Sequence, residues 1–178
     1  GMAVNRRFVL LGGASGLVLA GCVTGGSASA PASIVPPGEW RSYGRDIAST
    51  KYSPLTQIDR TNASELKIAW EWQSPDADII RNNPDLKLAP GEFQATPIMA
   101  EGVLYTSTAM SQVAAIDPST GKTLWLFDPQ TWKHGRPTSK GFQHRGVAWW
   151  REQNDARIFI ATGDNRLIAL DARTGTPI

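Results

Sequence analysis

Residues Ala115–Trp125 read AIDPSTGKTLW, and the pattern returns at Ala169–Ile178 as ALDARTGTPI. Asp117 and Asp171 hold equivalent places 54 positions apart. Each copy is a short apolar strand ending in Ala-x-Asp, followed by a turn that closes on Thr120-Gly121 or Thr174-Gly175. An Asp carboxylate accepts backbone N–H bonds about two residues on, and Gly supplies positive φ without a Cβ clash. The first copy runs on into an apolar strand carrying Trp125. A repeat of about 50 residues built from short strands and Gly turns is the signature of a β-propeller blade. The fold class expected is therefore all-β, built of propeller blades.

Composition agrees. Seven Trp, 17 Gly and 12 Pro in 178 residues suit an all-β chain of short strands and turns. The net charge is +2, with both signs scattered, so no basic stripe marks a nucleic-acid partner. One cysteine excludes an internal disulfide framework, a multi-Cys metal site and a Cys-x-x-Cys-His haem attachment. Propellers close with four to eight blades. At 54 residues per repeat the chain holds fewer than three after its leader, so it is expected to be the N-terminal part of a longer protein.

Outward from the repeat, the chain divides into three. Residues 1–22 read as an export signal: Arg6-Arg7, then an apolar run from Phe8 to Ala20 that is short for a membrane span. The twin Arg followed by Phe-Val-Leu suits Tat export, and two basic residues equally suit Sec. The run ends in Leu19-Ala20-Gly21-Cys22, which resembles a bacterial lipobox, so Cys22 is the expected lipidation site. The alternative cut after Ala28-Ser29-Ala30 would place Pro31 next, which blocks it. Residues 23–38 are Gly/Ser/Ala- and then Pro-rich and read as a flexible tether. Residues 39–178 read as propeller. Within them Leu66, Ile68, Trp70 and Trp72 alternate with polar or small residues, which predicts a strand with one buried face. Ser74–Gly91 reads as a polar loop with Asp76 and Asp78 as solvated charges. Those acids lack the Gly and Glu of a calcium-binding hand.

Several strings now carry a resemblance. The order Trp40…Tyr43-Gly44…Asp46…Tyr52-Ser53-Pro54-Leu55…Gln57-Ile58…Leu66…Ala69-Trp70, then FQATPIMAEGVLYTSTAMSQVAAIDPSTGKTLWLFDP, GFQHRGVAWW and RIFIATGDNRLIALDARTG, resembles the N-terminus of pyrroloquinoline quinone (PQQ) dependent dehydrogenases. The resemblance runs from Trp40 to the end. It implies the first two to three blades of an eight-bladed catalytic propeller. It also implies PQQ and calcium as cofactors, a sugar or alcohol substrate, and a membrane quinone or cytochrome as electron acceptor. Location on the periplasmic side of a bacterial membrane follows from the resemblance and the export signal together.

Three residues are candidates for the cofactor. Arg145, before Gly146, matches the family's Arg-Gly pair, whose guanidinium contacts cofactor carboxylate or quinone oxygens; a planar fork of donors suits that task. Gln94 matches a position near the cofactor where the alcohol-oxidising branch carries an acidic residue. His144 is expected to line the axis beside them. The family's calcium ligands and catalytic Asp come from later blades, so no catalytic or metal residue is assigned. The methanol-oxidising branch has two adjacent Cys before its Arg-Gly pair, whereas Ser139-Lys140-Gly141-Phe142 stands here. That departure tilts the expectation toward a sugar or polyol, although Met110 stands where the sugar branch often has His. Non-catalytic propeller lipoproteins that scaffold outer-membrane assembly share the repeat and a lipobox. They lack the Trp40–Trp70 string and Arg145-Gly146. A sugar- or peptide-binding module is the third class. Read by itself, the chain is expected to be inactive and marginally stable, because an incomplete propeller leaves blade faces and strand edges open.

Overall fold

The computed structural model describes residues 35–178 apart from Ser139; the export signal, Cys22 and most of the tether lie outside the described residues. The sequence repeat is realised as two antiparallel sheets. The first runs β1 (Ile98–Ala100), β2 (Val103–Ser107), β3 (Val113–Ile116), β4 (Thr123–Phe127), each strand beside the next. The second runs β5 (Ala148–Glu152), β6 (Asp155–Ala161), β7 (Leu167–Asp171) in the same manner. A bridge from Leu170 to Pro177 begins a fourth strand there. The β1–β2 hairpin turns on Glu101-Gly102, both at positive φ (51° and 79°). That backbone matches the twist of the strands it joins.

Side-chain alternation decides how the sheets meet. Ile98, Tyr105, Ala115 and Trp125 are cross-strand neighbours and so share a face. With Ala100 and Val113 they pack against Ile158, Ile160 and Leu170 of the second sheet and Ala172 just beyond it. Polar contacts cross the same seam. Tyr105 Oη and Trp125 Nε1 both donate to the carbonyl of Ala172, at 3.1 and 3.0 Å. Burial, helped by the charges of Glu101 and Asp171, pushes the Tyr105 phenol up to about 12, so it stays a donor.

The turns that define the repeat form as read. Asp117 Oδ1 accepts from Ser119 N–H and Asp171 Oδ1 from Arg173 and Thr174 N–H, at 2.8–2.9 Å. Gly121 and Gly175 both sit at φ +72°. A Cβ on Gly121 would lie 2.7 Å from the Trp70 ring, and one on Gly175 would lie 2.5 Å from the Trp125 ring. Each glycine turn is therefore the seat of an indole from the preceding unit, and Trp70 Nε1 completes its seat by donating to Pro118 O at 2.9 Å.

Two expectations need correction. Leu66–Gln73 is extended but has no ladder among the described residues, and Leu66 and Ile68 are 61% and 77% exposed. Its alternation is genuine, yet a strand forms only where a neighbour supplies backbone partners. The segment is held by its indoles instead, with Trp72 Nε1 donating to Thr123 Oγ1 at 3.0 Å. Ser74–Gly91 is not only a loop: it contains α1 (Asp76–Asn82) and a 3-10 turn at Pro84–Leu86. Asp76 is buried rather than solvated (4% exposed), whereas Asp78 is exposed and pairs with Arg81.

Candidate functional site

Antiparallel order places the start of β1, the end of β2, the start of β5 and the end of β6 at one end of the two sheets. There, two extended segments run side by side. Pro90 bridges Phe142 in the parallel sense, and Gly91 N–H donates to Phe142 O at 2.8 Å. Thr96 N–H donates to Arg145 O at 3.1 Å. Gln94 lies between those contacts, so the structure brings Gln94 and Arg145 onto neighbouring strands of chain although 51 residues separate them. The approach is close. A Cβ on Gly146 would lie 3.1 Å from Thr96 O, and Gly146 adopts φ +137°, which disfavours other residues.

Gln94 and Arg145 are both exposed. Arg145 makes no ion pair among the described residues, so its guanidinium is available at this end. His144 is half-buried, and both ring nitrogens are engaged by protein. Nδ1 lies 2.6 Å from Ser107 Oγ and accepts from Gly146 N–H at 3.2 Å, while Nε2 lies 2.8 Å from Ala161 O. A carbonyl only accepts, so Nε2 carries the proton and Nδ1 is the acceptor. Burial lowers the pKa of His144, opposed by the Ala161 carbonyl, which keeps the ring neutral near pH 7. His144 thus has no ring nitrogen left for a ligand.

The loop Thr108–Gln112, which joins β2 to β3, lies at this same end. Its anchor is Asp76. Oδ1 accepts from Thr108 Oγ1 (2.6 Å) and Gln112 Nε2 (2.7 Å), and Oδ2 accepts from Met110 N–H at 3.2 Å. Thr131 Oγ1 donates to Met110 O at 2.7 Å from the other side. Beneath the loop, Met110, Ile79 and Phe142 form a small apolar cluster of their own. The sequence reading missed this anchor. Its signal was Ser74-Pro75-Asp76, a proline and an acid opening a short apolar run, which marks a helix start. A cleft of about 370 Å³ lies beside Asp76, lined by Gln73, Ile80, Gly91, Phe93 and Ala109. Among the described residues no group of three or more His, Cys, Asp or Glu is placed to hold a metal ion, and no helix is long and apolar enough to cross a membrane.

Comparison with known proteins adds to this geometry. The family model "PQQ: Glucose/ethanol/alcohol dehydrogenase, beta-propeller domain" matches residues 40–178. The chain is 40% identical over 142 residues to the quinohemoprotein alcohol dehydrogenase ADH IIB of Pseudomonas putida, which covers 79% of this chain and 18% of that protein. It is 33% identical over 162 residues to quinoprotein glucose dehydrogenase A of Acinetobacter calcoaceticus, covering 79% and 19%. Among solved structures, the quinohemoprotein alcohol dehydrogenase from Comamonas testosteroni superposes with a TM-score of 0.63 at 35% identity, covering 79% of this chain and 18% of that one. The chain thus spans about a fifth of the length of the relatives it matches.

Proposed function

Because this chain belongs to the PQQ-dependent glucose/ethanol/alcohol dehydrogenase β-propeller family, we propose that it is the N-terminal part of a quinoprotein dehydrogenase and supplies one wall of its cofactor site. The observation that carries this reading is the pairing of the Gln94 and Arg145 segments at one end of two consecutive blades. The donor set suits PQQ, an acidic quinone. Arg145 offers a forked cation to carboxylate or quinone oxygens, and Gln94 offers an amide able to donate or accept. Backbone bonds from Gly91 to Phe142 and from Thr96 to Arg145 hold the two segments together, and Gly146 leaves room for that approach. When bound, PQQ would supply the two-electron oxidation of a hydroxyl carbon, and the part of this chain would be to hold and orient it through Arg145 and Gln94. Calcium and the catalytic base belong to residues beyond this chain. The electrons pass on to a membrane quinone or a cytochrome.

Two substrate classes have a specific observation behind them. Ser139-Lys140 in place of adjacent cysteines supports a sugar or polyol. The higher identity to an alcohol dehydrogenase, 40% against 33% for the glucose enzyme, supports an alcohol. The test is to reconstitute the full-length protein with PQQ and calcium and follow dye reduction over a panel of alcohols and sugars. Cofactor-dependent turnover is expected; none on any substrate overturns the reading. R145A should lower PQQ affinity about 100-fold, as loss of a charge-assisted pair costs about 2–3 kcal/mol. Cys22 is read as lipidated on the periplasmic side of a membrane, for which mass spectrometry of the mature N-terminus is the check. A product beginning after Ala30 would refute it.

A further inference from the structure

The cofactor reading makes Arg145 the binding group and leaves open what holds it. Arg145 is exposed and makes no ion pair among the described residues, so its side chain has no partner of its own to aim it. Its backbone, by contrast, is fixed on both sides. The carbonyl of Arg145 accepts from Thr96 N–H at 3.1 Å, and the next N–H, that of Gly146, donates to His144 Nδ1 at 3.2 Å. The imidazole that receives that bond is itself tied to both sheets. Ser107, the last residue of β2 and fully buried, donates its hydroxyl to Nδ1 at 2.6 Å. Ala161, the last residue of β6, accepts from Nε2 at 2.8 Å.

We propose that His144 is the positioning residue for Arg145: it bolts the first sheet to the second and seats the Arg145–Gly146 backbone, without itself contacting the cofactor. The bond inventory supports this division. A neutral imidazole has one acceptor and one donor. Both are used within the protein, and the acceptor side serves the Arg145–Gly146 segment while the donor side serves the second sheet. The segment needs such a seat, because Gly146 at φ +137° has no side chain to hold it by packing. The proposal rests on the PQQ reading for what Arg145 binds, and on geometry alone for how the segment is held.

The two halves separate by substitution. In H144N the side-chain Oδ1 stands near the place of Nδ1 and still accepts from Ser107 and Gly146, while the link to Ala161 is lost. In H144Q the longer amide still reaches Ala161 O, while the acceptor beside Gly146 is lost. Both are made in the full-length protein. In the cofactor-free state, amide exchange of the peptide spanning 142–147 should be about tenfold faster in H144Q than in wild type, with H144N within about threefold of wild type. PQQ binding, read by quenching of tryptophan fluorescence, should follow the same order: about tenfold weaker in H144Q and within about threefold in H144N. R145K serves as the reference for losing the binding group itself, with weakened PQQ binding and unchanged exchange. Equal exchange in both histidine variants, or wild-type PQQ affinity in H144Q, overturns the proposal. Should neither variant fold, S107A decides: about threefold faster exchange over 142–147 is expected, and wild-type exchange overturns the proposal. A wild-type protein that does not bind PQQ refutes the cofactor reading alone, since the exchange measurements still judge the seat.

Discussion

Asp76 and His144 are the two polar side chains that this end of the molecule can least spare. Asp76 is buried and gathers three donors from the Thr108–Gln112 loop. In D76A those donors lose their acceptor inside the fold, and a loss of about 3 kcal/mol is expected from unsatisfied buried groups. D76N, which keeps one acceptor oxygen, should lose less; urea denaturation of the two variants is the check. His144 gives a pH signature. Burial lowers its pKa below the ordinary 6.5, so as the medium is acidified the unfolded chain takes up the proton first. Its contribution to stability is whole above about pH 6.5 and is lost as pH falls through the lowered value. Melting temperature should therefore drop as pH falls below about 6.5 in the wild type. The slope should be shallower in H144N, by thermal denaturation across that range.

At the scale of the element, the indole seats carry the sharpest expectations. G175A places a methyl group into the Trp125 ring at a backbone angle of +72°, so it must displace the indole as well as strain the turn. A cost of about 2–3 kcal/mol is expected. W125F keeps the ring contact and loses the bond to Ala172 O, for about 1 kcal/mol. Calorimetry of the pair should rank G175A as the more damaging. These turns were legible in the sequence because their cause is local: an Asp, a Thr and a Gly within five residues determine the backbone. The neighbouring positions of Gln94 and Arg145 were reached through resemblance, and no local pattern encodes the parallel run that joins them. Leu66–Gln73 misled for the opposite reason, since its alternation specifies a face while its ladder depends on a partner far along the chain. α1 went unread because seven residues hold too few turns for an apolar period to stand out, and Asp76 because burial of an acid depends on donors more than 30 residues away.

At the scale of the whole molecule, the first sheet has two unlike faces. One is covered by the second sheet. The other, with Leu104, Thr106 and Ile116, opens into an apolar cleft of about 410 Å³ whose far wall is Trp70, Trp72 and Phe93. Surfaces of this kind seek cover. Residues 35–178 expressed alone should self-associate and bind a hydrophobic dye. On the proposed function, further blades cover this face in the full-length protein, which should do neither; light scattering and dye fluorescence check both. A monodisperse, dye-silent 35–178 would count against the propeller closing over this face.

The seating of Trp70 on the Gly121 turn and of Trp125 on the Gly175 turn bears on how such a chain can evolve. The indole and its seat lie in different units, so the unit of inheritance is offset from the unit of structure. A duplication of one full repeat carries an indole and a seat together, wherever its boundaries fall, and every neighbour still meets its complement. Loop insertions between strands leave them paired, since Trp70 and Gly121 are 51 positions apart and Trp125 and Gly175 are 50. Selection can thus lengthen the loops at the ends of the strands freely, and can change the number of blades, while the pairing of each tryptophan with the glycine of the next unit is kept.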